Sequence, residues 1–317
     1  MSDHFPTLLA DASSAAGRFD WLMLSLLIIT GTMAVLLAGL IIFFSIRYRK
    51  GSAADRTNPP SGARGLEAAW TILPLLMFLG IFTWAALDYA QLYRAPDDAL
   101  PVFVVAKQWM WKVQHPNGRR EIDELHVPLG EAVKLVMTSQ DVIHSFFVPA
   151  FRVKQDVVPG RYTSLWFRAT KLGTYHLFCA EYCGTDHAGM RGRVIVMPPD
   201  EYARWLQQGN TESGIAAQGF ALFRKYGCSG CHSAGSSVHA PDLTGLLGRT
   251  VHLQDGRSLI ADENYVRDSI LLPKKDVVAG YAPIMPSFAG QVSEEDILAI
   301  IEYLRQTGAD HDDRQRP

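Results

Sequence analysis

The chain has 317 residues and a net charge of −2, with Lys and Arg (30) almost balanced by Asp and Glu (32). That length accommodates two or three domains. With no basic stripe to neutralise a row of phosphates, nucleic acid is excluded as a partner.

Two uncharged apolar runs come first, residues 21–46 and 68–87. Each approaches or exceeds the ~20 residues that a helix needs to cross a ~30 Å hydrocarbon layer, so the pair predicts a transmembrane hairpin with helices at about 21–47 and 67–90. The first run is too long for a signal-peptide core, and its leading segment carries Asp3, Asp11 and Asp20 against a lone Arg18, the opposite of a basic n-region. The connection holds Arg47, Arg49, Lys50, Arg56 and Arg64. The positive-inside rule places that loop in the cytoplasm and both termini outside. Pro74 lies within the second run and is expected to kink it.

Beyond residue 95 the text changes to short β-type runs at 102–105, 109–113, 133–138, 146–148, 162–167, 174–178 and 193–196. Turn residues such as Asn117-Gly118 and Pro159-Gly160 separate them, which fits a small antiparallel sandwich over 96–206. A polar stretch, 207–214, reads as a flexible linker. Helical periodicity follows at 215–226, 262–271 and 293–306. Ser293 is the expected N-cap of the last helix, with Glu294, Glu295 and Asp296 in its first turn. The final residues, 309–317, are charged and expected to be disordered.

All four cysteines fall into two clusters. In the first, Cys179-x-Glu181-x-Cys183 continues to His187 and Met190. Two cysteines four apart form either a disulfide, which the outer side of a membrane permits, or a metal site. Thiolate, imidazole and thioether together favour copper, because thioether sulfur is a soft donor that hard ions rarely use. His115, His126, His144 and His176 lie upstream. His144 opens an apolar run, where it either completes the site or is a satisfied core histidine. The second cluster, Cys228-x-x-Cys231-His232, is the pattern of covalent c-type haem attachment; a zinc site lacks a second cysteine pair. Met285 is the one methionine downstream of His232, between Pro283 and Pro286, and is expected as the sixth iron ligand. His239 and His252 are its rivals. The remaining histidines, His4 and His311 among them, are read as structural or solvent-facing.

The pattern His144-Ser-Phe, then Cys179, Glu181, Cys183, His187 and Met190, behind a two-helix hairpin, resembles subunit II of the haem–copper cytochrome c oxidases. Residues 215–307, with Ala240-Pro-Asp-Leu-Thr-Gly245 and the terminal helix, resemble a class I cytochrome c. The resemblance implies a multidomain membrane protein: the transmembrane hairpin (1–95), an all-β cupredoxin-like sandwich (96–206), the linker (207–214), an all-α cytochrome c domain (215–308) and a tail (309–317). It implies a binuclear copper centre, CuA, in which Cys179 and Cys183 bridge two coppers and His144 and His187 cap one each. Met190 and the backbone carbonyl of Glu181 complete the set, and the Glu181 side chain reaches a magnesium shared with subunit I. One haem c is held by Cys228, Cys231, His232 and Met285.

By the same resemblance, the Gln108-Trp109-Met-Trp111 segment supplies the point at which electrons arrive from cytochrome c, at Trp109. The alternative is that both tryptophans simply pack. Glu67 similarly resembles the residue near the mouth of a proton channel, or is only a solvated helix start. The implied activity is that of the electron-accepting subunit of a caa-type oxidase. Electrons pass from a donor, such as a cytochrome c or an upstream quinol–cytochrome c reductase, through haem c to CuA and on to subunit I. There O2 is reduced to water with proton pumping. Subunit III and a bacterial inner membrane are implied too. A quinol oxidase branch lacks these copper ligands, and a nitrous-oxide-reductase type needs a catalytic copper domain for which no length remains. A tethered shuttle acting alone is the third alternative.

Overall fold

The computed structural model describes residues 11–54, 63–208, 214–233, 236 and 238–313. His4 and Arg56, most of the linker and the last four residues lie outside the described residues. The hairpin consists of α1 (Ala16–Arg47) and α2 (Arg64–Tyr93), which runs on through Pro74. Both are long and apolar enough to cross a membrane, and their apolar windows are wholly unburied by the rest of the chain. Lipid is the solvent that such a surface requires. The start of α1 touches the end of α2, where Arg18 meets Asp88 and Gln91. The segment before α1 is tied to the next domain: Ala12 is fully buried there, and Arg152 forks onto Asp20 at 2.8 and 3.0 Å.

Ten strands make the sandwich: β1 (Leu100–Lys107), β2 (Met110–Gln114), β3 (Arg120–Ile122), β4 (Glu124–Pro128), β5 (Ala132–Ser139), β6 (His144–Val148), β7 (Val153–Val157), β8 (Thr163–Arg168), β9 (Gly173–Cys179) and β10 (Arg191–Met197). They form two five-stranded sheets, ordered β3-β2-β1-β5-β8 and β4-β10-β9-β6-β7. The sheets are mixed rather than purely antiparallel, because β1 runs parallel to β5 and β4 parallel to β10. Inner-face residues such as Val102, Val104, Trp111, Leu135, Phe146, Leu177 and Val194 fill the space between them. The helix α3 (Pro199–Gln208) closes one end.

The C-terminal domain contains α4 (Ile215–Lys225), α5 (Ser229–His232), a small ribbon of β11 (Thr250–His252) and β12 (Ser258–Ile260), α6 (Glu263–Leu271) and α7 (Glu294–Asp313). The ribbon is an addition to the expected all-helical plan, and α7 runs past the expected end. Both α6 and α7 are capped at their starts, α7 by the expected Ser293. The Asp262 carboxylate accepts from the Tyr265 amide at 2.8 Å, and the Ser293 hydroxyl accepts from the Asp296 amide at 3.2 Å. The helices α4 and α7 cross at Gly219, where a Cβ would stand 1.9 Å from the Ala299 carbonyl oxygen. Glycine is what allows this close approach.

This domain does not hang free on its linker. Phe103 and Val105 of β1, Val136 of β5 and Tyr162 point away from the sandwich core, yet all are at most 4% exposed. They pack into one cluster with Ile215, Ile270, Ile297 and Ile301 of the C-terminal helices. β1 is thus buried on both faces, which is why its sequence reads as an unbroken apolar run rather than an alternation. A polar ring surrounds this contact. Asn264 clasps the Tyr162 backbone through both its amide atoms, at 2.6 and 3.2 Å, and Arg267 donates to the Gly160 carbonyl at 2.7 Å. The described ends of the linker are fastened to one turn: the Asn117 amide donates to the Leu206 carbonyl at 2.8 Å, and the Ile215 N–H donates to the Pro116 carbonyl at 3.1 Å.

Candidate functional site

The first cluster lies where β6, β9 and the loop after β9 meet. The two sulfurs, of Cys179 at the end of β9 and Cys183 in the loop, are 3.8 Å apart. That is far beyond the ~2.05 Å of a disulfide. His144 Nδ1 stands 3.9 Å from the Cys179 sulfur and His187 Nδ1 3.5 Å from the Cys183 sulfur. Met190 Sδ is 3.8 Å from Cys183 Sγ, while the Glu181 carbonyl oxygen is 3.2 Å from Cys179 Sγ. Each thiol therefore has one imidazole and one weaker donor beside it. This near two-fold set of soft donors suits a soft metal such as copper. His115, His126 and His176 stand elsewhere.

Electrostatics favour the same chemistry. Burial disfavours both thiolates. His144 holds Cys179 below the usual thiol range, and that thiolate pushes Cys183 above it. Two thiolates this close do not both ionise without cations to neutralise them. His144 is wholly buried, with its Nε2 on the Asp141 carboxylate at 2.8 Å. That contact fixes the ring and leaves Nδ1 facing Cys179, the role usual for a carboxylate behind a metal-bound imidazole. Trp111 and Phe146 wall the centre from inside, Trp111 edge-on to both His144 and Phe146. Sequence reasoning missed Asp141, although its position three residues before His144 was the available signal.

Trp109 stands just before β2, outside the strand that the sequence run 109–113 predicts. Its indole N–H donates to the Cys183 carbonyl at 3.2 Å, and the Gln108 amide reaches the same oxygen at 2.8 Å. The loop can pass this close because Gly184 adopts φ +116°, and a Cβ there would stand 2.9 Å from Gln108 Nε2. The Glu181 side chain is exposed. Glu67 is exposed in the first turn of α2, far along the chain from the cluster.

The second cluster lines a largely apolar cavity of about 520 Å³ in the C-terminal domain, which brings Cys228, Cys231, His232 and Met285 to one space. His232 Nδ1 lies 2.9 Å from the Pro241 carbonyl oxygen. A carbonyl only accepts, so Nδ1 carries the proton and Nε2 keeps the lone pair that an iron would take. The donor set and the apolar wall suit a haem. His239 also lines the cavity but is stacked on Tyr281 at 4.6 Å, and His252 is turned to Ser258 outside it.

Comparisons with known proteins bear on both halves. The family described as cytochrome c oxidase subunit II, periplasmic domain, matches residues 118–197, and the cytochrome c family matches 216–308. Cytochrome c oxidase subunit 2 of Alkalihalophilus pseudofirmus is 30% identical, over 90% of this chain and 86% of the relative. The chain belongs to the cytochrome c oxidase subunit 2 family. Cytochrome c oxidase subunit 2 of Thermostichus vulcanus is 33% identical over 65% of this chain and 79% of its own length. The periplasmic domain of subunit II from Bradyrhizobium japonicum is a solved relative, 32% identical, with a TM-score of 0.35, covering 37% of this chain and 96% of that domain.

The molecule is therefore subunit II of a haem–copper oxidase carrying its own cytochrome c domain, a component of an oxidoreductase complex with subunit I as its partner. Membership implies copper and haem c, and the two apolar helices supply the membrane anchor.

Proposed function

We propose that this subunit accepts electrons from an external donor, a cytochrome c or a quinol–cytochrome c reductase, in its C-terminal domain. They pass to the sandwich and leave for subunit I, where O2 is reduced to water with proton pumping. The observation that carries the reading is the pairing, in one chain, of two complete donor sets. One is His144, Cys179, Glu181 through its carbonyl, Cys183, His187 and Met190, for two coppers; the other is Cys228, Cys231, His232 and Met285, for one haem. When bound, each centre supplies a one-electron couple.

The chain's own residues do the rest. Asp141 orients His144, and Pro241 orients His232. Trp111 and Phe146 keep water from the inner side of the copper loop, and the β9–β10 scaffold holds the sulfurs in place, which limits reorganisation on electron transfer. The exposed Glu181 carboxylate is free to reach a magnesium shared with subunit I. Trp109, bonded to the Cys183 carbonyl, suits an acceptor of electrons at the sandwich surface, and Glu67 suits the mouth of a proton channel. The parts read as hairpin 1–95, sandwich 96–206, linker 207–214, cytochrome domain 215–308 and tail 309–317. The basic connection between α1 and α2 faces the cytoplasm. Both termini and both centres face the outer side of a bacterial inner membrane, and subunit III joins subunit I in the complex.

Affinity purification of the full chain from its native membrane is expected to bring subunit I with it, together with cytochrome c oxidase activity. Purification alone, from membranes whose oxidase activity does not depend on the chain, would leave a tethered shuttle as the better account.

A further inference from the structure

The C-terminal domain meets the sandwich on a second front, close to the copper loop. Glu295, in the first turn of α7, accepts from Lys112 Nζ at 3.0 Å and from Gln140 Nε2 at 2.8 Å with each carboxylate oxygen. Burial alone would raise the Glu295 carboxyl, but the helix backbone, Lys112 and Gln140 outweigh it and hold it below the usual carboxylate range. Its neighbour Asp296 accepts from the Tyr226 hydroxyl at 2.8 Å, and Tyr226 lines the haem cavity. On the other side Gln140 is followed by Asp141, whose carboxylate holds His144 at 2.8 Å.

We propose that Glu295 is the positioning residue that fixes the cytochrome domain in one pose on the sandwich. The continuous series Tyr226, Asp296, Glu295, Gln140, Asp141 and His144 is then the bonded path joining the two centres. The inference rests on the electron-transfer reading above and deepens it: the cytochrome domain is a fixed third layer rather than a shuttle on a tether. Three observations converge on it. The outer face of β1 and β5 is apolar and covered by this domain. Both described ends of the linker are fastened to the 116–117 turn. Every link between cavity wall and copper-side histidine is either a peptide-bonded neighbour or a hydrogen bond of 2.8 Å. One electron crosses at a time, from reduced haem iron to the oxidised copper pair. No proton moves and no bond is made or broken.

The test uses the full chain with both centres loaded, as wild type, Glu295→Ala, Lys112→Met and the charge swap Lys112→Glu with Glu295→Lys. Two quantities are read: hydrogen exchange at the Tyr162 and Ile215 amides, whose acceptors lie across the domain boundary, and the haem-to-copper transfer rate after flash reduction. Losing a charge-assisted hydrogen bond should make those amides exchange about tenfold faster. Transfer should slow in both single variants, with haem and copper spectra unchanged; the swap should restore the exchange rates but not the transfer rate, because a lysine at 295 cannot accept from Gln140 Nε2. Exchange that stays at the wild-type rate, or transfer that stays fast while exchange rises, overturns the proposal. A wild-type chain with both spectra but no internal transfer instead overturns the electron-transfer reading itself, and the path with it.

Discussion

The Cys179 sulfur is one of the two that the proposed copper site would use. It stands within 4 Å of an imidazole, a second thiol and a backbone carbonyl. Cys179→Ser replaces a soft sulfur donor by a hard hydroxyl. It is expected to abolish the mixed-valence dicopper EPR signal and leave the haem spectrum intact; retention of the signal would show that the sulfur is not a bridge. Met285→Ala makes the complementary cut, removing the thioether that shares the cavity with His232. Loss of the long-wavelength Met–iron absorption band with an undisturbed copper signal is expected, whereas a band that persists would transfer the sixth position to another side chain. Most of these residues were legible in the sequence, because ligand spacing in a tight loop is a local property. Asp141 and Gln108 were not singled out, since their roles arise only when β6 and the turn before β2 are brought to the copper loop.

Among elements, the join of β2, β3, β4 and α3 depends on Glu121, which accepts from buried His115 at 2.7 Å and from the His126 ring and backbone. Tyr202 bonds the far side of His115, and Trp205 stacks on His126. Burial disfavours the Glu121 carboxylate, but these two imidazoles prevail and lower its pKa from 4.5 to about 2. Its stabilisation is therefore complete above pH 4.5 and is lost as pH falls from there toward 2. Glu121→Gln should cost about 1–3 kcal/mol near neutrality, and urea titrations of the two proteins should converge as pH approaches 2. A difference independent of pH would contradict the assignment.

The α4–α7 crossing offers an element-level test of packing. Gly219→Ala places a methyl group against the Ala299 carbonyl and should destabilise the C-terminal domain by about 3 kcal/mol, read from its thermal midpoint. An unchanged midpoint would mean that the helices do not cross there. The helices were readable because their caps and periodicity are local. The parallel β1–β5 and β4–β10 pairs were not, since alternation reveals a strand but not its distant neighbour.

Over the whole molecule, hydropathy and periodicity distinguish an apolar hairpin, a β sandwich and a helical domain, and one cysteine cluster falls in each of the last two. The relation between those domains was the hidden part. The polar stretch 207–214 reads as a flexible linker, whereas Phe103, Val105 and Val136 are buried by the domain that follows it. The signal was present in the unbroken apolar run of β1, whose second buried face needed a partner that a two-layer sandwich does not contain. With the cytochrome layer seated there, the two sites proposed to carry electrons lie in domains packed against each other, behind a two-helix membrane anchor. The most direct test of this account is metal analysis combined with EPR on the purified full chain. Two coppers and one iron per chain, with one unpaired electron shared by both copper nuclei, are expected. A single copper with its electron localised on one nucleus, or a chain without covalently bound haem, would contradict it.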